Sequence, residues 1–226
     1  MLLSVARSID RYFRFLDESF AQRLDARAPV APRVGASPSQ TMPTASEGYS
    51  PLVVARPLNL SFDGSTTSGI PVGWFNSFGH VSGVSTDYRI DVVSRSAHPG
   101  DGTCAVLEKA AAAPGEFGSL MQRCRGRFLA GRIIRLEGEL RTDNVTGWAG
   151  LWFRADADVH PDLFFDNMSR RPVVGTTRWA RYFIDAPLPE NTDWLNYGIV
   201  LSGAGVLYAD NLRLLVWTLD GRWEDV

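Results

Sequence analysis

The chain has 226 residues, 45% of them hydrophobic and 21% charged, and a formal net charge of −2. That composition is globular and excludes a collagen-like or wholly disordered chain, and the near-neutral balance excludes a nucleic-acid partner held by charge. Two Cys and three His exclude a zinc-finger framework or a disulfide-dense scaffold.

The first element in the chain is helical in pattern. Leu2, Ala6, Ile9, Phe13, Leu16 and Phe20 recur at intervals of 4, 3, 4, 3 and 4 residues, one apolar seam at the heptad period. Arg7, Asp10 and Arg11 interrupt what would otherwise be the apolar core of a signal peptide, so no cleaved secretory signal is expected. No apolar run reaches the roughly 18 residues of a membrane-spanning helix. A cytoplasmic or membrane-peripheral location follows as the expectation. A lone helix of this length is marginal in water, and its seam needs a cover. It either folds back on its own domain or docks on another protein chain or a membrane surface; residues 1–26 are read as a docking helix. Residues 27–57 carry Pro29, Pro32, Pro38, Pro43, Pro51 and Pro57. Proline removes a donor and fixes φ, so this stretch is read as an extended linker.

From residue 58 the period becomes two. Ile134, Leu136, Gly138 and Leu140 alternate with Arg135, Glu137, Glu139 and Arg141, which predicts a half-buried antiparallel strand with a charged outer face. Ser119–Gln122, Ala149–Ala155, Arg178–Ile184, Trp194–Leu201 and Val206–Leu214 also read as strands, separated by Gly, Pro, Asn and Asp clusters. Short strands with no second helix predict an all-β jelly-roll sandwich over residues 58–216, followed by a C-terminal tail, 217–226. Cys104 and Cys124 lie equally far from Pro114. If the segments around that turn pair as a hairpin, the two sulfurs come opposite and a disulfide is geometrically open; reduced thiols are the default without a secretory signal.

Four segments stand in a telling order: Asn59-Leu-Ser-Phe-Asp-Gly64, Gly73-Trp74, His98-Pro-Gly100 and Leu207-Tyr-Ala-Asp-Asn-Leu-Arg-Leu214. Together they resemble the jelly-roll carbohydrate-binding modules of galactose-binding-like fold, over residues 58–216. Between them lie Trp148-Ala-Gly-Leu-Trp-Phe-Arg154, Phe165-Asp-Asn-Met168, Arg171-Pro-Val-Val-Gly-Thr-Thr-Arg-Trp179 and Tyr197-Gly-Ile-Val-Leu-Ser-Gly-Ala-Gly205. This set is similar to a bacterial domain family of unassigned activity, appended to predicted transcriptional regulators and peptidase-like proteins. The resemblance implies a structural Ca²⁺ tying the first strand to the last, with Asp63 and Asp210 at the matching positions. Such an ion takes six to eight oxygens, so backbone carbonyls would complete it. It also implies a carbohydrate stacked on aromatic rings.

For that ligand the candidates are Trp148, Trp152 and Trp179, with Arg154, Asp166 and Asn167 as polar partners. Trp148 and Trp152 share parity, so they face one side of their strand, and that side equally fits a core. Asp166 sits in an aromatic setting and is expected to pair, buried, with Arg154 or Arg171. No G-x-S-x-G, Walker A or G-x-G-x-x-G motif is present. His80, His98 and His160 stand far apart beside Gly, Pro or small residues and are read as loop residues. An acid–base pair of Asp166 with Tyr197 is what remains for a cyclase or isomerase. The expected function is a non-catalytic accessory subunit, docked through its helix and arm onto a larger, membrane-associated complex. The alternatives are a carbohydrate or small-ligand binding module, then the cyclase or isomerase.

Overall fold

A computed structural model describes residues 53–64, 66–67, 69–76, 88–94, 102–112, 117–160 and 162–226. The seam of Leu2, Ala6, Ile9, Phe13, Leu16 and Phe20 lies outside the described residues. In chain order the strands are β1 (Val53–Val54), β2 (Thr66–Thr67), β3 (Ile70–Pro71), β4 (Phe75–Asn76), β5 (Arg89–Ser94), β6 (Thr103–Lys109), β7 (Phe117–Arg125), β8 (Ile133–Asp156), β9 (Phe164–Asp166), β10 (Val173–Pro187), β11 (Trp194–Ser202), β12 (Gly205–Trp217) and β13 (Trp223–Asp225). A single 3-10 turn, Arg127–Leu129, interrupts them among the described residues.

The strand order β1-β7-β11-β8-β12-β6-β5 is one hydrogen-bonded path that folds into two layers. Strand β8 belongs to both. Its first half pairs β10 and β12, and its second half pairs β11 and β9. The first layer is therefore β10-β8-β12-β6-β5, and the second is β7-β11-β8-β9, with β1 and β4 on the free edge of β7. Asp143-Asn144, one of the Asn and Asp clusters expected to separate strands, is instead a bend inside a continuous strand, with Asn144 at φ 52°. Beside it the chain turns from β11 to β12 through Gly203 and Gly205. Gly205 has φ 125°, and a Cβ there would lie 2.7 Å from the Val145 Cα. Only glycine lets the two backbones cross so closely.

Between the layers lies one core. Ile134, Leu136 and Leu140 meet Leu151, Phe153, Leu195, Ile199, Leu201, Leu120 and Leu207, all at 0% exposure. Each such side chain contributes about 1.5–3 kcal/mol of burial. One polar side chain, Gln122, shares the inward parity of Leu120 and Cys124. A buried amide must be satisfied, and this one is. Its Nε2 donates to Leu58 O (2.8 Å) and Gly73 O (3.1 Å), and its Oε1 accepts from Leu58 N–H (2.9 Å) and the Tyr197 hydroxyl (2.7 Å). The clamp fixes the Asn59 and Gly73-Trp74 segments against β7, where the Trp74 indole donates to Asn59 O.

Three expectations change. The linker ends before residue 57, because Val53–Val54 already runs parallel to Arg123–Cys124 of β7. The C-terminal tail is not a tail: β13 returns along β12, and Trp223 stands opposite Trp217 with ring centroids 5.0 Å apart. Cys104 and Cys124 do not form a hairpin pair. Strand β6 pairs β5 and β12, whereas β7 pairs β11, so the two cysteines sit in different layers, both buried and not joined by a disulfide.

Candidate functional site

Strand β8 alternates along its second half, and the side opposite the core carries Trp148, Gly150, Trp152, Arg154 and Asp156. The register across β11 and β7 sets these into rows: Trp148–Ser202–Phe117, Gly150–Val200–Ser119, Trp152–Gly198–Met121, Arg154–Asn196–Arg123 and Asp156–Trp194–Arg125. This outer face of the second layer is aromatic at one end and charged at the other. At the aromatic end Trp148 and Trp152 form a separate cluster with Phe75, Phe117, Met121 and Val200, and Phe165 of β9 packs on it. Both tryptophans are 1% exposed. They belong neither to the main core nor to an open aromatic row. Trp152 Nε1 donates to Ser119 Oγ at 2.9 Å, which fixes its ring. Gly198 lies in line with Trp152, and a Cβ there would sit 2.1 Å from Leu120 O.

The charged end is a closed network. Arg154 and Asp156 have side chains 3% and 4% exposed and meet at 3.0 Å. The same Asp156 Oδ2 accepts from Asn196 Nδ2 at 2.6 Å, and its Oδ1 accepts from Asp162 N–H at 3.0 Å. A buried ion pair survives only when its remaining lone pairs and protons are also satisfied. Below it, Arg123 and Arg125 both lie over the Trp194 ring, at 4.5 and 3.8 Å, and the Trp194 indole donates to Asp158 at 2.6 Å. Asp193 accepts from Asp158 N–H and from Arg127, which together hold its carboxyl below the ordinary carboxylate range.

The predicted residues separate. Trp148, Trp152 and Arg154 share the second layer's outer face. Trp179 does not: it stands on β10 in the first layer, edge-on to Tyr208 at 6.5 Å. Asp166 pairs with Arg171 at 2.9 Å and accepts from Met168 N–H at 2.8 Å, but with side chains 28% and 47% exposed the pair is not buried. Arg154 takes Asp156 instead. Asn167 is 6% exposed and turns its Oδ1 to Ser169 N–H. Asp166 and Tyr197 do not meet. Tyr197 points into the core, its hydroxyl on Gln122, and burial pushes its pKa well up. Asp156, Asn196, Ser119 and Trp194 were missed as members of this face. Asp156 shares the parity of Trp148, Trp152 and Arg154, so the alternation already pointed to it.

At the opposite edge, Asp63 accepts from Thr103 N–H (2.8 Å) and the Thr103 hydroxyl (3.2 Å), and the backbone bond holds its carboxyl below the usual range. Asp210 is buried at a bulge in β12 and accepts from Asn211 N–H at 2.6 Å. Leu212 N–H donates to Leu60 O, so the opening loop and the last long strand meet here. Among the described residues no group of three or more His, Cys, Asp or Glu is placed to hold a metal ion, and no helix is long and apolar enough to cross a membrane. Asp63 is thus spent on Thr103 and Asp210 on Asn211.

No protein-family model matches the chain. A stretch of 98 residues, 43% of the chain, is 39% identical to part of the uncharacterized HTH-type transcriptional regulator YbfP of Bacillus subtilis strain 168. The match spans 33% of that relative's length, in keeping with a domain appended to something larger. The arabinose-bound α-L-arabinofuranosidase MgGH51 aligns over 73% of this chain and 27% of its own, at 11% identity and a TM-score of 0.51. The CBM22-1 xylan-binding domain of Xyn10C from Paenibacillus barcinonensis aligns over 69% of this chain and 90% of its own, at 14% identity and a TM-score of 0.44. At 11% identity the likeness to the arabinofuranosidase is one of fold alone, an all-β sandwich.

Proposed function

We propose that the chain is a non-catalytic recognition module. One observation carries this: each candidate acid or base is already held in a structural network. Asp156 serves Arg154 and Asn196, Asp166 serves Arg171 and Met168 N–H, and Tyr197 serves Gln122. A general acid or base must reach a substrate proton.

Carbohydrate is the ligand class that the fold similarity favours. The surface would be the margin of the second layer's outer face, where the half-buried Phe165 of β9 stands opposite Arg154 and packs on the cluster of Trp148 and Trp152. Rings beside amide and guanidinium groups suit a ligand with one apolar and one hydroxylated side. Affinity electrophoresis of the full chain on xylan, galactan and arabinan tests it. Retardation that Phe165→Ala weakens supports the reading, and equal mobility with and without every polymer rejects it. A Ca²⁺ at Asp63 and Asp210 belongs to the same proposal. A chelator should lower the Tm of the native chain and leave Asp210→Ala unaffected; equal melting of the native chain in both conditions rejects the ion.

A second reading, an accessory subunit of a larger complex, has its own support. Val53–Val54 fastens the arm to the edge of β7, so whatever the residues before it bind is held close to the sandwich. Co-purification of the native protein with other chains, lost in Phe13→Asp, would favour it.

A further inference from the structure

The exposed apolar side chains of the described residues are not scattered. Five of them gather at one end of the sandwich: Phe128 (45%), Ile133 (45%), Val159 (79%), Trp217 (39%) and Leu219 (103%). Ion pairs and hydrogen bonds tie these loops together. Asp158, next to Val159, pairs with Arg127 at 3.1 Å, and Arg127 precedes Phe128 in the 3-10 turn. Arg132 N–H donates to Leu129 O, and the Arg132 guanidinium reaches Trp217 O at 3.2 Å. From Trp217 the β12–β13 hairpin carries Leu219 at its tip.

That tip is built, not loose. Thr218 N–H and its hydroxyl both donate to Arg222 O, Gly221 N–H donates to Thr218 O, and Gly221 takes φ 77°. The turn holds Leu219 wholly in solvent, and beneath it Trp217 and Trp223 pair across the strands. A second tip, closed by Ala157 N–H donating to His160 O, presents Val159. Single exposed apolar residues need no explanation, but a set on neighbouring loop tips does.

We propose that this end of the sandwich docks on a lipid bilayer surface. Leu219 and Val159 enter the acyl boundary, and Trp217 and Trp223 lie at headgroup level, where indoles settle. The shape decides between occupants. A protein interface needs a contiguous, close-packed patch, whereas separate apolar tips with polar groups between them suit a fluid apolar phase. The charge at this end sets the kind of binding. Arg127 is paired with Asp158 and Asp193, and Arg222 with Asp220 and Glu224. Docking is therefore driven by apolar burial and persists in high salt.

The test is sedimentation of the full chain with phosphatidylcholine vesicles, with and without phosphatidylserine, at low and at high salt. Brominated acyl chains serve as quenchers of indole fluorescence. The native chain should bind both vesicle types within a few-fold of each other, resist salt, and show quenching that Trp217→Phe/Trp223→Phe removes. Leu219→Asp/Val159→Asp should lower the partition coefficient at least tenfold with an unchanged Tm. Leu219→Ser, a milder change at the same tip, should lower it less. Phe13→Asp should leave the quenching in place. No vesicle binding, binding equal in the Leu219→Asp/Val159→Asp variant, or binding abolished by salt would each overturn the proposal.

Discussion

The two outer faces of the sandwich are made by one strand and come out opposite. On the first half of β8 the outward residues Arg135, Glu137, Glu139 and Arg141 form a face of ion pairs and stacked cations that water reaches in part: Glu137 is buried and the other three are half-buried. Arg135 meets Asp185 there at 2.6 Å and lies over Phe183 and Trp223. On the second half the outward residues Trp148, Trp152, Arg154 and Asp156 are buried. The same alternation therefore gives a partly solvated face in one layer and a closed aromatic and ionic face in the other. Parity says which side of the sheet a residue takes; it does not say whether water is there.

The largest effect should come from breaking that contrast at its ion pairs. Asp156→Ala strands a buried guanidinium and an amide, and should cost roughly 3–5 kcal/mol in urea unfolding. Asp185→Ala removes an exposed carboxylate from a half-buried arginine that keeps its place over Phe183 and Trp223, and should cost about 1 kcal/mol. Similar losses for both would erase the distinction. Trp152→Phe removes part of a buried ring system and deletes the bond to Ser119, so a loss of about 1–3 kcal/mol is expected by the same measurement. Asp166→Ala sharpens the comparison from the margin. Its pair with Arg171 is half in water, and the loss should stay near or below about 1 kcal/mol.

Smaller still are two titration effects. Asp193 lies at the foot of the buried face, and its folded-state pKa is depressed by Asp158 N–H and by Arg127. A depressed carboxyl adds stability above its unfolded pKa and loses it as pH falls through the folded value. Asp193→Asn should therefore lower stability at neutral pH and flatten its fall below about pH 4, the two proteins converging as Asp193 protonates. Burial pushes the Cys124 thiol up to about 12. Ellman's reagent should find neither cysteine in the native protein at pH 8 and both after unfolding.

Much of the fold was legible because the core obeys a period of two. Ile134, Leu136 and Leu140, and again Tyr197, Ile199 and Leu201, announce strands and their inward side. The bend of β8 was not legible, since Asp143-Asn144 reads as a turn and only the register with β11 and β12 shows the strand continuing. The hairpin that would have set Cys104 opposite Cys124 is absent for a related reason, and the thiols stay reduced, the default. Equal spacing about Pro114-Gly115 suggests a hairpin, yet in a jelly roll successive strands commonly pass to the opposite sheet. At the site, Trp148, Trp152 and Arg154 entered through the resemblance; the shared parity of the two tryptophans extends to Asp156, which that resemblance did not include. Asn196 and Ser119 reach the face only through the pairing of β11 and β7, which no local pattern encodes. Trp179 carried the right chemistry for an aromatic row but belongs to the other layer, a distinction that depends on which half of β8 its strand joins.

The most direct measurement is a nitrogen-15 NMR titration of the full chain with xylo-, galacto- and arabino-oligosaccharides, watching the tryptophan indoles and the Asn196 side-chain amide. If the second layer's outer face is the recognition surface, the Trp152 indole, bonded to Ser119, and the Asn196 amide shift with ligand, and Trp179 does not. Shifts confined to Trp179 on the open face, or none with any sugar, would contradict it.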